Sequence, residues 1–261
     1  MVRFIRIAFS GRDFFGTQKQ PQKRTIQGLF EHLLSQIYNE KVKVTISSRL
    51  DRKVNANDFG LSFSDPGKNI SDSHLFYYLR RSLDEDVTLK EIRQLDNDTF
   101  SARYNADYKR YLYLLQNRMD PHPFFSSFTY HPAYHPLDPL QVKQALSLFQ
   151  GQHDFRAFAT PEGEENTLLT IDSTSFEERG NDLYLRFQGR NFLRYQVRFM
   201  VGAILSHCEG KLSLDDIQSL LNGEERHLPK LKAEPQGLML EQIHYPAFDD
   251  DQQNIFVLPT I

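Results

Sequence analysis

KVKVTISSRLDRKVNANDFGLSFS, residues 41–64, reads as two strands with a charged connection between them. KVKVTIS (41–47) alternates with the period of a half-buried strand, and FGLSFS (59–64) is a second β-rich run. The polar stretch SSRLDRKVNAND (47–58) between them sets three cations, Arg49, Arg52 and Lys53, around Asp51. Such a strand–turn–strand pair is the middle of a larger motif if a strand and a helix precede it and a helix and a strand follow.

Both flanks meet that condition. VRFIRIAF (2–9) reads as a strand, and the Gly-rich, polar GRDFFGTQKQPQKR (11–24) as a loop. In TIQGLFEHLLSQIY, Ile26, Leu29, Phe30, Leu33, Leu34 and Ile37 recur at helical spacing behind Thr25, a natural N-cap. SDSHLFYYLRRSL (71–83) reads as a second amphipathic helix capped by Ser71, and VTLKEIRQL (87–95) as a strand. The order is β-α-β-β-α-β, the ferredoxin-like unit.

The second half repeats this order of elements. KRYLYLLQN (109–117) reads as a strand, and LDPLQVKQALSLF (137–149) as a helix with Pro139 in its first turn. LLTIDSTSFEE (168–178) and DLYLRFQG (182–189) read as a hairpin about Arg179-Gly180-Asn181. NFLRYQVRFMVGAILSH (191–207) reads as a helix, LSLDDIQSLLNG (212–223) as an added one, and GLMLEQIHY (237–245) as a last strand. The expected architecture is α+β, with two ferredoxin-like (βαββαβ) halves joined into one mainly antiparallel sheet. Helices cover one face and leave the other open to a ligand. The expected domains are 1–105, carrying the Asp51 loop, and 106–246, followed by an acidic tail, 247–261. The Pro- and aromatic-rich segment 120–136 reads as an insertion or lid.

Composition narrows the function classes. The chain has 261 residues, 39% of them hydrophobic and 25% charged, with a formal net charge of -3. A globally basic nucleic-acid binder is excluded, but a local basic surface is not. A single cysteine, Cys208, rules out an intrachain disulfide and points to a reducing compartment. It reads as a small buried hydrophobe near a helix end. The first residues have no signal-peptide core and no apolar run is long enough to span a membrane, so the expected location is cytoplasmic. His131 and His135 are four apart, yet Pro132 and Pro136 argue against a helical metal pair. Glycine-rich phosphate loops and a Ser-His-Asp constellation are not legible. Neither a metal nor an organic cofactor is expected.

Six pieces of the chain, in order, resemble the tRNA pseudouridine synthase A family along most of its length. That family carries Arg-Thr-Asp-x-Gly-Val-His-Ala, and Arg49-Leu50-Asp51-Arg52-Lys53-Val54-Asn55-Ala56 matches it at Arg49, Asp51, Val54 and Ala56. FFGTQKQPQKRTIQGLFE is similar to the family's opening at Gly16, Gln18, Gln20, Pro21, Thr25, Gln27 and Gly28. FSARYNADYKRYLY resembles the segment of the family tyrosine, which falls on Tyr111, and GQHDFRAF a Gly-x-His-Asp-Phe stretch. NFLRYQVRFMVGAIL resembles the helix whose arginine falls on Arg198, and PQGLMLEQIHYP the family's ending.

The resemblance implies an isomerase that breaks the N1–C1′ bond of uridine, turns the base and joins C5 to C1′. It gives Asp51 the catalytic role, by attack on C1′ or by removal of a sugar proton. It sets Arg198 as the guanidinium opposing that carboxylate and Tyr111 as the aromatic at the base. Arg49 would fill the space of the turned-out base or hold the displaced strand. Lys19, Lys23 and Arg24, with Arg52 and Lys53, are the candidate phosphate contacts. The resemblance further implies tRNA as substrate, the anticodon stem-loop at about positions 38–40 as target, and a homodimer. Taken alone, each residue has a plainer reading: a solvated turn for Asp51, a half-buried sheet tyrosine for Tyr111, a rim residue for Arg198 and a solvated loop for the lysines. Leu50, Lys53 and Asn55 depart from the signature's Thr, Gly and His. A glycine at positive φ there would leave Lys53 strained by about 1 kcal/mol or more. The alternative reading is therefore a non-catalytic RNA-binding paralogue that keeps the fold.

Overall fold

VRFIRIAF forms a strand that is buried along nearly its whole length, as a central strand must be. A computed structural model describes residues 1–132, 135–160, 163, 166–224 and 232–248. They divide into two compact units, Met1–Asp107 with the chain from Leu240 on, and Tyr108–Met239. The last strand of the sequence, grouped above with the second half, thus returns mostly to the first unit. The architecture is mixed α and β with antiparallel pairing throughout the named ladders.

The first unit runs β1 (Val2–Phe9), α1 (Ile26–Tyr38), β2 (Thr45–Ile46), β3 (Asn55–Ser64), α2 (Asp72–Ser82) and β4 (Val87–Leu95). β1 lies between β3 and β4, and β2 pairs with β3, which is the ferredoxin-like order. Thr25 caps α1 by accepting the Gly28 amide, and Ser71 caps α2 by accepting that of His74. The strand expected over 41–47 shrinks to Thr45–Ile46, because α1 side chains satisfy the backbone before it. Ser35 Oγ accepts the Val42 amide, Glu31 Oε1 accepts that of Val44, and Gln27 Nε2 donates to the Val44 carbonyl. β3 instead starts early, at Asn55.

Ile5 and Ile7 of β1 are fully buried, as are Ile26 and Phe30 of α1 and Leu75 and Leu79 of α2. Alternation sends Phe4 to the opposite side of the strand. That side is not bare: Phe4 meets Tyr245 at 5.2 Å and Phe248 at 4.6 Å between ring centroids, and Phe100 closes the cluster. The Tyr245 hydroxyl donates to the Ala102 carbonyl at 2.7 Å. Gly60 makes this possible, since a Cβ there would stand 2.5 Å from that hydroxyl. Asp58, fully buried, accepts two bonds from Arg6 and one from the Ile243 amide.

The second unit runs β5 (Tyr108–Gln116), α3 (Pro139–Ser147), β6 (Gly151–Asp154), β7 (Leu168–Ile171), β8 (Ser173–Arg179), β9 (Asp182–Gly189), α4 (Gln196–Cys208) and α5 (Leu214–Leu221). It ends at the start of β10 (Leu238–His244). β9 pairs with both β5 and β8, while β6 and β7 form a separate pair. The single strand expected over 168–178 is broken at Asp172, whose amide bonds the Gln188 carbonyl. The part before the break pairs with β6, which the sequence did not signal. The β8–β9 hairpin turns at Gly180 (φ +60) as expected. α4 begins at Gln196 rather than near 191, because Tyr195 takes a left-handed conformation, φ 64, and stops the helix there.

No helix among the described residues is long and apolar enough to cross a membrane. Cys208 ends α4, free and partly buried, and burial pushes its thiol up to about 11. At pH 8 about one thiol in a thousand is then ionised. Ellman's reagent is expected to leave the native protein unlabelled over minutes at pH 8 and to react fully once guanidinium unfolds it. Rapid labelling of the native protein would contradict this burial.

Candidate functional site

Asp51 opens a four-residue turn closed by the Val54 amide, which donates to the Asp51 carbonyl at 3.2 Å. Arg52 and Lys53 are its central residues, and both are exposed. Lys53 has φ 68, the positive value that the third position of a type II turn requires. The lysine therefore adopts the conformation that favours glycine and carries the corresponding strain, about 1 kcal/mol or more.

The segment 10–17 holds this turn from outside. Thr17 is fully buried. Its hydroxyl donates to the Ser48 carbonyl at 2.9 Å and accepts the Leu50 amide at 2.8 Å. Its own amide donates to the Leu50 carbonyl at 3.1 Å. Leu50 is thus pinned through both backbone groups and through a buried side chain. Gly16 (φ +90) lets the chain pass, since a Cβ there would lie 2.6 Å from the Leu50 carbonyl oxygen. Gly11 sits closer still, with a hypothetical Cβ 2.1 Å from the Val54 carbonyl oxygen, and its amide donates to Asn55 Oδ1 at 2.9 Å. Asn55, a departure from the signature, is therefore a buried staple between the two loops.

This docking gathers most of the sequence-predicted cations. Arg49, Arg52 and Lys53 are exposed on the turn, and Lys19 and Lys23 on the facing loop. The Arg52 guanidinium lies 4.4 Å and the Lys23 ammonium 4.5 Å from the centroid of the Phe15 ring. Lys19 pairs with Glu31 at 2.6 Å. Arg24 is committed elsewhere. It stacks on Phe14 and pairs with Asp86 and Asp84, and the hydrogen bond to Asp86 is the main reason that its pKa is raised. Its charge is spent on holding the loop to the segment after α2.

In the second unit, Tyr111 lies buried on β5 with its ring edge-on to Phe192, centroids 4.8 Å apart. Arg198 is buried in the first turn of α4. Its Nε donates to the Ala233 carbonyl at 2.8 Å, and the Ala233 amide donates to the Arg198 carbonyl at 2.9 Å. Its guanidinium stands 5.6 Å from the Tyr195 ring, which Lys232 approaches to 3.8 Å and Arg194 to 4.8 Å. Tyr113 neighbours this group. Its hydroxyl, bonded to the Glu234 carbonyl, is raised well above the usual pKa chiefly by burial, against a smaller opposite pull from Arg198. Gly237 leaves room for that ring, since a Cβ would lie 2.6 Å from it. Among the described residues, no group of three or more His, Cys, Asp and Glu is placed to hold a metal ion.

A family model described as tRNA pseudouridine synthase matches residues 145–246, which include Arg198. The tRNA pseudouridine synthase A of Dictyoglomus turgidum is 34% identical over 243 residues, 92% of this chain and 98% of that protein. The chain belongs to the tRNA pseudouridine synthase A family. The Aquifex aeolicus member is 34% identical over 92% of this chain and 97% of its own length, and that of Exiguobacterium sibiricum 32% over 94% and 98%. A solved structure, that of a Cbf5-Nop10-Gar1 complex, aligns with a TM-score of 0.34 at 10% identity, over 90% of this chain and 57% of that one, too distant to bear on the site. As a member of this family, the chain is an isomerase that modifies uridine in tRNA.

Sequence reasoning missed Thr17, Gly11 and Tyr195. A lone threonine in a polar loop gives no signal, whereas Gly11 and Gly16 bracketing two aromatics mark a close approach that could have been read. Thr17→Val keeps the shape of the side chain but leaves the Leu50 amide and the Ser48 carbonyl without their partner. It is expected to lower unfolding free energy by about 2–3 kcal/mol in urea titrations, with Thr17→Ser recovering most of it. Lys53→Gly should raise stability by about 0.5 kcal/mol, the relief of strain less the added freedom of the unfolded chain.

Proposed function

We propose that the chain converts uridine to pseudouridine in tRNA with Asp51 as the catalytic carboxylate. The observation that carries this reading is the turn itself. Its backbone is fixed by Thr17 and Gly11, so a half-exposed carboxylate is presented from a rigid support amid three exposed cations. Asp51 attacks C1′ or takes a sugar proton; the N1–C1′ bond breaks, the base turns, and C5 bonds C1′ while the C5 proton is lost and N1 gains one. No electrons leave the substrate, so the reaction asks only for groups that attack, move protons and orient, as Asp, Tyr and Arg can. Tyr111 and Arg198 keep the roles that the resemblance gives them.

Arg52, Lys53, Lys19 and Lys23 contact the phosphates, Arg49 fills the space of the turned-out base or holds the displaced strand, and Arg24 acts by holding their loop in place. The target lies in the anticodon stem-loop, at about positions 38–40, and the working form is a cytoplasmic homodimer. The departures at Leu50, Lys53 and Asn55 support an active site over an abandoned one. Leu50 is buried and clamped, Lys53 takes a left-handed conformation within an ordered turn, and Asn55 accepts a buried amide.

The test is pseudouridine mapping of tRNA from a strain lacking the gene, complemented with the wild type or with Asp51→Asn. The null strain should lose at least one pseudouridine that the wild type restores and Asp51→Asn does not. With purified protein, Asp51→Asn should cut turnover by at least about a thousandfold, roughly 4 kcal/mol of transition-state stabilisation, while the Kd for tRNA stays within threefold. Turnover that survives in Asp51→Asn removes this residue from the mechanism. Binding with no isomerisation by the wild type favours the non-catalytic reading.

A further inference from the structure

Helix α2 carries two stripes where a surface helix ordinarily carries one. Leu75 and Leu79 form the buried stripe. On the solvent side, His74, Tyr77, Tyr78 and Arg81 follow the i, i+3, i+4, i+7 pattern of a single helical face. Tyr77 and Tyr78 are 54% and 49% exposed. The rings are ordered against one another, with Tyr77 and Tyr78 6.2 Å apart at 72° and His74 5.6 Å from Tyr78. Arg81 donates to the Tyr77 hydroxyl at 2.6 Å, and Arg80 is exposed beside it. Favourable interaction with the helix dipole accounts for cations at this C-terminal end. It does not account for the tyrosines.

The pairing of exposed rings with arginines points to the occupant. The sole carboxylate of α2 is Asp72, and it is bound to the buried Arg3 and to the Gln94 amide. A polyanion with π faces suits both residue types at once. The face is also continuous with the loop that holds Asp51. Just past the helix, Asp84 and Asp86 bind Arg24, and the Asp86 carbonyl accepts the Ser10 amide.

We propose that the outer face of α2 is a second RNA-binding surface, which holds a stretch of the tRNA remote from the target uridine. Tyr77 and Tyr78 stack on unpaired bases, and Arg80 and Arg81 bind phosphates. The inference rests on the family's tRNA substrate and not on the role given to Asp51.

The full-length protein is titrated with unmodified bulk tRNA at several KCl concentrations. Tyr78→Ala should weaken binding about tenfold and leave the salt slope unchanged, because stacking releases no counterions. Arg80→Ala with Arg81→Ala should lower the slope of log Kd against log salt by about 1.4. Turnover at saturating tRNA should stay at the wild-type value in both, whatever Asp51→Asn does. Affinity within twofold of wild type and an unchanged slope in both variants would overturn the proposal. So would an altered sedimentation coefficient of the RNA-free protein with unchanged tRNA affinity, which would assign the face to another protein chain.

Discussion

The hydroxyl of Thr17 stands between the Ser48 carbonyl and the Leu50 amide, and the geometry of the Asp51 turn follows from it. A hydroxyl is a donor and an acceptor on one atom, so it can close a loop segment at both its ends. Here it does so in a fully buried position, where no water can substitute. The two glycines before it remove the Cβ atoms that would otherwise keep the segments apart. The carboxylate of Asp51 is thereby attached to a backbone that cannot relax when a polyanion approaches. A charged group on a flexible turn would instead spend part of its interaction energy on ordering itself.

Periodicity found what the core dictates. β1, α1, α2, β4 and the β8–β9 hairpin emerge within a few residues of their expected bounds, since each buries a face that the sequence marks. Thr25 and Ser71 cap the helices as their residue types imply. The reading fails where side chains replace a ladder. The alternating run 41–47 looks like a strand, yet Ser35, Glu31 and Gln27 of α1 take up its backbone groups. It fails again at Tyr195, a residue with no intrinsic liking for positive φ, so that nothing local announces where α4 begins. At the site, Asp51 and its cationic neighbours were visible as a cluster, but Arg24 was indistinguishable from Lys23. Only the position of Asp84 and Asp86, some sixty residues further on, separates them.

The charge economy of the chain is local. A net charge of -3 leaves no excess to attract RNA at a distance. Instead, acids are consumed in pairs with the cations that shape the fold, as Asp58 is by Arg6 and Asp65 and Asp72 are by Arg3. Arg49, Arg52, Lys53 and Lys23 are exposed on the two loops at the Asp51 turn, with an aromatic ring, Phe15, between two of them. Binding of this kind is short-ranged, because exposed charges are screened over about 8 Å at physiological salt.

The return of the chain from Leu240 to the first unit sets an order of events during synthesis. The bond from the Ile243 amide to Asp58 joins residues 185 apart, and Tyr245 and Phe248 complete the cluster around Phe4. The residues of the second unit, by contrast, form one continuous segment, Tyr108–Met239. It can close on itself as soon as it has emerged, and its folding then shortens the loop that the last strand must bridge. The half that carries Asp51 is begun first and finished last. A ribosome that stalls after residue 239 leaves behind a folded second unit and an uncapped, aromatic-rich sheet side, a species for chaperones and proteases and not a slow enzyme.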